Sequence, residues 1–140
     1  MSIYISRNEQ DTIRFAKDFA KKLKRGNIIV LSGELGSGKT KFVQGVLEYF
    51  GLAEEISSPT FTIVNEYIKD DVNIYHFDVY RLSDTDEFYA MGGEEYFENG
   101  ICLIEWGEMI EEILPEHYTK ITFRKSEDNV EYRELLVEEK

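Results

Sequence analysis

The octet Gly33-Glu34-Leu35-Gly36-Ser37-Gly38-Lys39-Thr40 carries glycine, four residues, then Gly-Lys-Thr. That spacing is the pattern of a phosphate-binding loop. Glycines let successive backbone N–H groups turn inward toward anionic oxygens, and a helix that starts at the loop directs its positive dipole end at the same phosphates. Lys39 would reach the outer phosphates, and the Thr40 hydroxyl would hold a magnesium ion. The remaining loop residues, Gly33 to Gly38, would bind through their backbone, so the chemistry indicated is handling of a magnesium nucleoside triphosphate.

Such a site needs carboxylates at strand ends facing the loop, because magnesium takes hard oxygen ligands and keeps several waters. Two acids qualify. Glu105 follows the apolar run Ile101-Cys102-Leu103-Ile104, at the carboxyl end of a strand, where ligands of open α/β sheets collect. Asp78 closes Tyr75-His76-Phe77-Asp78 in the same way. If Glu105 binds the ion, Asp78 is left to orient or deprotonate the attacking water, or to hold the ion through a water; the two roles are exchangeable at this level. Thr60, after Ser58-Pro59, could reach the magnesium or the outer phosphate and sense hydrolysis, or be an ordinary turn hydroxyl. His76 shares a strand face with Asp78 and reads as a hydrogen-bonded structural histidine. Arg81 suits either a phosphate or an internal salt bridge, and Trp106 either the border of the site or the core.

The elements that must position these groups follow from periodicity. Ile28-Ile29-Val30-Leu31 is an unbroken apolar run suited to a strand covered on both faces, and Phe42, Val43, Val46, Leu47 and Phe50 recur at helical spacing before Gly51. Residues 3 to 5 predict a short strand, and Ser6 with Glu9 has capping-box spacing for a helix carrying Ile13, Ala16, Ala20 and Leu23 and closed by Gly26. Phe61 to Ile68 and Val72 to Tyr80 predict a hairpin around Lys69-Asp70-Asp71. Ser83 or Asp84 can cap a short helix through Met91, and Glu94 to Glu98 offers another turn or two. Residues 101 to 104 repeat the pattern of 28 to 31 and predict a second buried, parallel strand. A helix from Glu108 to Leu114 ends at Pro115, and Lys120 to Lys125 with Val130 to Val137 predicts a closing hairpin. The sum is an α/β fold over residues 1–140: one P-loop NTPase-like domain, its mixed sheet parallel at the centre, flanked by helices and completed by antiparallel hairpins.

Composition narrows the partners. Sixteen Lys plus Arg against 28 Asp plus Glu gives a net charge of −12, so the surface as a whole repels nucleic acid. The one basic cluster, Lys21-Lys22-Leu23-Lys24-Arg25, suits the last turn of a helix. A single cysteine, Cys102, excludes an intrachain disulfide and a cysteine-based metal site. No apolar run approaches the roughly 18 residues of a membrane span and no leader is evident, which sets cytoplasm as the expected location.

These pieces in this order, Gly33 to Thr40, Ser58-Pro59-Thr60-Phe61-Thr62, His76-Phe77-Asp78-Val79-Tyr80-Arg81-Leu82, Ile104-Glu105-Trp106 and Leu114-Pro115, resemble the TsaE family of bacterial tRNA threonylcarbamoyladenosine biosynthesis. The likeness spans roughly residues 3 to 125. It implies a weak magnesium-dependent ATPase, a monomer or weak oligomer alone, coupled to two sugar-kinase-like partner proteins that modify adenosine 37 of tRNA, with tRNA met mainly through those partners. It also implies magnesium at Thr40 and Glu105, an essential role for Asp78, and adenine near Ser6 to Thr12. Glu34, Ser37, Lys41 and Gly107 depart from residues common in the family. The first two should be tolerated by a loop that works through its backbone; Lys41 adds charge beside the phosphates, and Gly107 removes a rigid stop after Trp106.

A small-molecule kinase would share the loop and the size, but kinases bring several lid arginines to the transferred phosphate, whereas six arginines are scattered singly here. A GTP switch would need Asn-Lys-x-Asp and Asp-x-x-Gly, and neither occurs. A nucleotide-binding subunit without turnover stays open, because hydrolysis depends on the placement of one water.

Overall fold

The computed structural model describes residues 1–34, 37–52, 64–79 and 85–140. Its frame is a seven-stranded mixed sheet in the order β1-β7-β6-β2-β5-β4-β3. The strands are β1 (Ser2–Ser6), β2 (Ile28–Gly33), β3 (Val64–Lys69), β4 (Val72–Asp78), β5 (Ile101–Glu105), β6 (Thr119–Lys125) and β7 (Arg133–Glu139). β6, β2, β5 and β4 run parallel to one another, while β3, and β7 with β1, extend the two sides through antiparallel pairs. The helices are α1 (Glu9–Ala20), α2 (Lys39–Tyr49), α3 (Thr85–Ala90) and α4 (Gly93–Asn99), with a 3₁₀ helix at Gly107–Ile113. The parallel centre is the one the two unbroken apolar runs demand, because strands covered on both faces have no solvent side to alternate toward.

The faces divide the core. On one, Ile29, Leu31, Leu103, Ile74, Ile121, Phe123 and Leu135 meet α1 and α2; on the other, Ile28, Ile104, Cys102, Phe77 and Tyr75 meet Phe88, Phe97 and the 3₁₀ helix. Burying each such side chain contributes about 1.5–3 kcal/mol. α1 and α2 touch backbone to side chain at Gly45, where a Cβ would stand 2.5 Å from both Ala16 Cβ and the Ile13 carbonyl oxygen. Phe15, Phe19, Phe42 and Phe123 continue this seam as an aromatic chain with centroid separations of 5.7 to 6.2 Å.

Several local expectations shift. The cap of α1 is Asn8, whose side chain accepts from the Asp11 N–H at 2.9 Å, while Asp11 accepts from the Arg7 N–H at 3.0 Å. That backbone bond and the Arg14 guanidinium hold the Asp11 carboxyl below its ordinary range. Ser6 has no capping role of the expected kind; it is fully buried and shares a 2.6 Å hydrogen bond with Thr12. α1 stops at Ala20, so the basic cluster lies beyond the helix, and Gly26 turns the chain toward β2 instead of closing α1. The segment after Trp106 is 3₁₀, with Ile110 outside helical angles. Val130 to Tyr132 belong to the turn of the last hairpin, and β7 starts at Arg133. No helix among the described residues is long and apolar enough to cross a membrane.

Candidate functional site

The carboxyl ends of the parallel strands converge on one point. β2 ends at Gly33, whose φ of +138° is open to glycine, and a Cβ there would lie 2.5 Å from the Phe123 carbonyl oxygen on β6. The chain can therefore leave β2 flush against β6 and turn back into α2, which begins at Lys39. Lys39 is 5% exposed, and its ammonium donates to the Gly33 carbonyl at 2.8 Å. The same nitrogen stands 3.9 Å from Glu105 Oε1 and 4.9 Å from the centre of the Trp106 ring. A buried cation needs such company, since an isolated ammonium out of water is strongly disfavoured.

Glu105 ends β5 and Asp78 ends β4, and the two are paired positions across those strands. Strand alternation puts His76, Asp78 and Glu105 on the face shared with α2. His76 Nε2 lies 2.6 Å from Glu105 Oε2, and its buried Nδ1 has no hydrogen-bond partner among the described residues. Trp106 takes a left-handed φ of +65°, which swings the chain out of the sheet directly after Glu105. Gly107 then packs on Val30, where a Cβ would meet Cγ1 at 2.7 Å. Trp106 thus borders both the second core and Lys39.

A cleft of about 520 Å³ opens over this point. Its floor includes Gly38, Lys39, Thr40, Lys41 and Glu105, one wall is Asn8, Glu9, Gln10 and Thr12 from the start of α1, and the other is Val130, Glu131 and Arg133 from the last hairpin. Lys41 reaches across to Glu9 at 3.7 Å, and the Arg133 guanidinium ties the hairpin tip by donating to the Val130 and Tyr132 carbonyls at 2.6 and 2.9 Å. Ser37 Oγ is fully buried with no hydrogen-bond partner among the described residues.

Of the residues expected to act together, Gly33, Gly38, Lys39, Thr40, Asp78 and Glu105 are gathered at the strand ends, with Glu34 exposed at the start of the loop and Ser37 buried within it. Leu35, Gly36, Thr60 and Arg81 lie outside the described residues. The segment Ser6 to Thr12 does reach the cleft, through Asn8, Glu9, Gln10 and Thr12. The hairpin wall was not anticipated, because neither its turn residues nor its charge distinguish it from an ordinary surface loop.

The donor set suits a magnesium nucleotide. Ser37 Oγ, buried and unmatched at the loop, and the ammonium of Lys39 are hydrogen-bonding groups for anionic oxygens. Thr40 and Glu105 offer hard oxygens at the cleft floor. Among the described residues no three His, Cys, Asp or Glu side chains gather as a metal centre. A magnesium ion would therefore draw most of its shell from phosphate oxygens and water.

Comparison with known proteins adds the family. Residues 6–135 match the family model of TsaE, described as threonylcarbamoyl adenosine biosynthesis protein. A TsaE protein of Treponema pallidum is 41% identical over 134 residues, covering 95% of this chain and 97% of the relative. The chain belongs to the TsaE family. A Bacillus subtilis TsaE protein is also 41% identical, over 87% of this chain and 77% of its own. The crystal structure of Bacillus subtilis YdiB superposes with a TM-score of 0.78 at 36% identity, covering 96% of this chain and 82% of that one. TsaE proteins are named for tRNA threonylcarbamoyladenosine biosynthesis, and the mixed sheet with its parallel centre is the fold shared with this structural neighbour.

Proposed function

We propose that the chain is a single-domain, magnesium-dependent ATPase that supports transfer of a threonylcarbamoyl group to adenosine 37 of tRNA by two sugar-kinase-like partner proteins. The observation that carries the reading is the meeting of Lys39 with Glu105 at 3.9 Å beside Gly33, on the floor of the cleft. Family membership supports the cargo, and the acidic surface, with a net charge of −12, supports reaching tRNA through partners.

Residues Gly33 to Thr40 hold the phosphates, Lys39 neutralises the outer ones, and Thr40 with Glu105 takes the magnesium ion. The bound ion would supply charge neutralisation between the outer phosphates. Asp78, beside Glu105 in the strand register, orients the attacking water and accepts its proton. Thr60, which lies outside the described residues, would reach the outer phosphate or its magnesium and be released on hydrolysis. The protein acts in the cytoplasm.

The test compares magnesium-dependent ATP hydrolysis by the wild type, Lys39→Ala and Glu105→Ala, alone and with the two partner proteins and tRNA. Lys39→Ala abolishes productive ATP use, Glu105→Ala weakens magnesium-dependent binding or turnover, and the wild type is stimulated by the full set of partners. Normal hydrolysis by both variants would overturn the site. Phosphorylation of a metabolite at enzyme-like rates without partners would overturn the role.

A further inference from the structure

His76 is a buried polar side chain beside Glu105 to which the mechanism above gives no task. It lies within β4, 4% exposed, between Ile74 and Asp78 on the α2-facing side and opposite Leu103 in the β4–β5 register. A ring so placed is held by two neighbouring strands and has little freedom to turn. Its Nε2 reaches diagonally to Glu105 Oε2 at 2.6 Å, while Nδ1 has no hydrogen-bond partner among the described residues. The tautomer that carries its proton on Nε2 gives the short contact to Glu105 a donor and leaves Nδ1 a lone pair instead of a stranded N–H, the less costly of the two orphans.

Glu105 by itself is poorly determined. Its side chain is 15% exposed at a strand end, and a glutamate loses rotamer freedom when fixed. The two oxygens are treated differently here: Oε2 is taken by His76, and Oε1 faces Lys39 at 3.9 Å and the cleft. We propose that His76 is a positioning residue, which fixes the Glu105 carboxylate through Oε2 so that Oε1 alone is presented to the cation at the phosphate loop. This rests on the magnesium-nucleotide reading above. Outer partners that orient a ligating side chain are worth about 10- to 100-fold in metal affinity.

The experiment measures ADP binding by calorimetry across a magnesium series, with fluorescence of Trp106, the only tryptophan, as a second readout. His76→Phe keeps a ring and removes the donor; His76→Gln places an amide N–H near the Nε2 position. Phe should raise the magnesium concentration for half-maximal tight binding at least about tenfold, leave magnesium-free ADP affinity within about twofold, and Gln should recover most of the shift. An unchanged magnesium requirement in His76→Phe, or equal weakening with and without magnesium, would overturn the proposal and leave His76 a packing residue. Should His76→Phe fail to fold by circular dichroism, His76→Gln is set against His76→Asn, whose shorter amide reaches only the Nδ1 position. A wild-type requirement in Gln with a raised one in Asn supports positioning, and equal requirements overturn it. Absence of any magnesium dependence in the wild type would overturn the function reading as well, so the two failures are distinct.

Discussion

Asp78 and Glu105 are paired residues at the ends of the parallel strands β4 and β5, on the face of the sheet shared with α2. Two carboxylates so placed repel one another, and a cation beside one of them relieves this while leaving the other to act on water. Asp78→Asn is therefore expected to lower kcat at least about a hundredfold while keeping magnesium-dependent ADP binding within a few fold. Glu105→Gln should instead raise the magnesium requirement. Steady-state hydrolysis with a parallel binding titration separates the two, and an exchange of the profiles would exchange the roles.

Gly33→Ala combines a φ of +138° with a Cβ placed 2.5 Å from a backbone oxygen that cannot move without displacing β6. The expected cost is about 2–4 kcal/mol, read as a lowered urea midpoint, with nucleotide binding lost as the loop is displaced.

The cap of α1 should be measurable separately from the site's chemistry. Asn8→Ala removes the acceptor for the Asp11 N–H and should cost about 1 kcal/mol, whereas Glu9→Ala should be near neutral in stability because its pair with Lys41 is exposed. Thermal melts of the two variants side by side make the comparison.

Burial pushes the Cys102 thiol up to about 12. An acid whose folded-state value is raised lends stability that is whole below the unfolded value, 9.0 for this thiol, and is lost as pH climbs toward the folded one. Denaturation midpoints should thus fall between about pH 9 and 12, and Cys102→Ala should flatten part of that fall. At pH 8 the native protein should react with a maleimide far more slowly than the urea-unfolded chain.

Much of this architecture was legible in advance, for physical reasons that differ by element. The runs at 28 to 31 and 101 to 104 are apolar on every residue, which only a strand covered on both faces tolerates, and they do lie side by side in parallel. Glu105 could be placed at the cleft because it is the first charged residue after such a run. The order of strands could not be read: nothing local says that the closing hairpin inserts β6 beside β2. The His76–Glu105 contact depends on the β4–β5 register, and the Val130–Arg133 wall on where β7 begins, both settled by pairing across the sheet. At α1, Ser6 with Glu9 and Asn8 with Asp11 have the same spacing, and the buried bond between Ser6 and Thr12 decides for the second.

The missing side chain at Gly45 has a mechanical meaning. With Ala16 and Ile13 resting on that position, α1 cannot slide along α2 without a collision. The two helices therefore form a ruler, keeping the span from Asn8 and Thr12 to Lys39 and Thr40 constant. A molecule filling the cleft is gauged against a fixed length on that side.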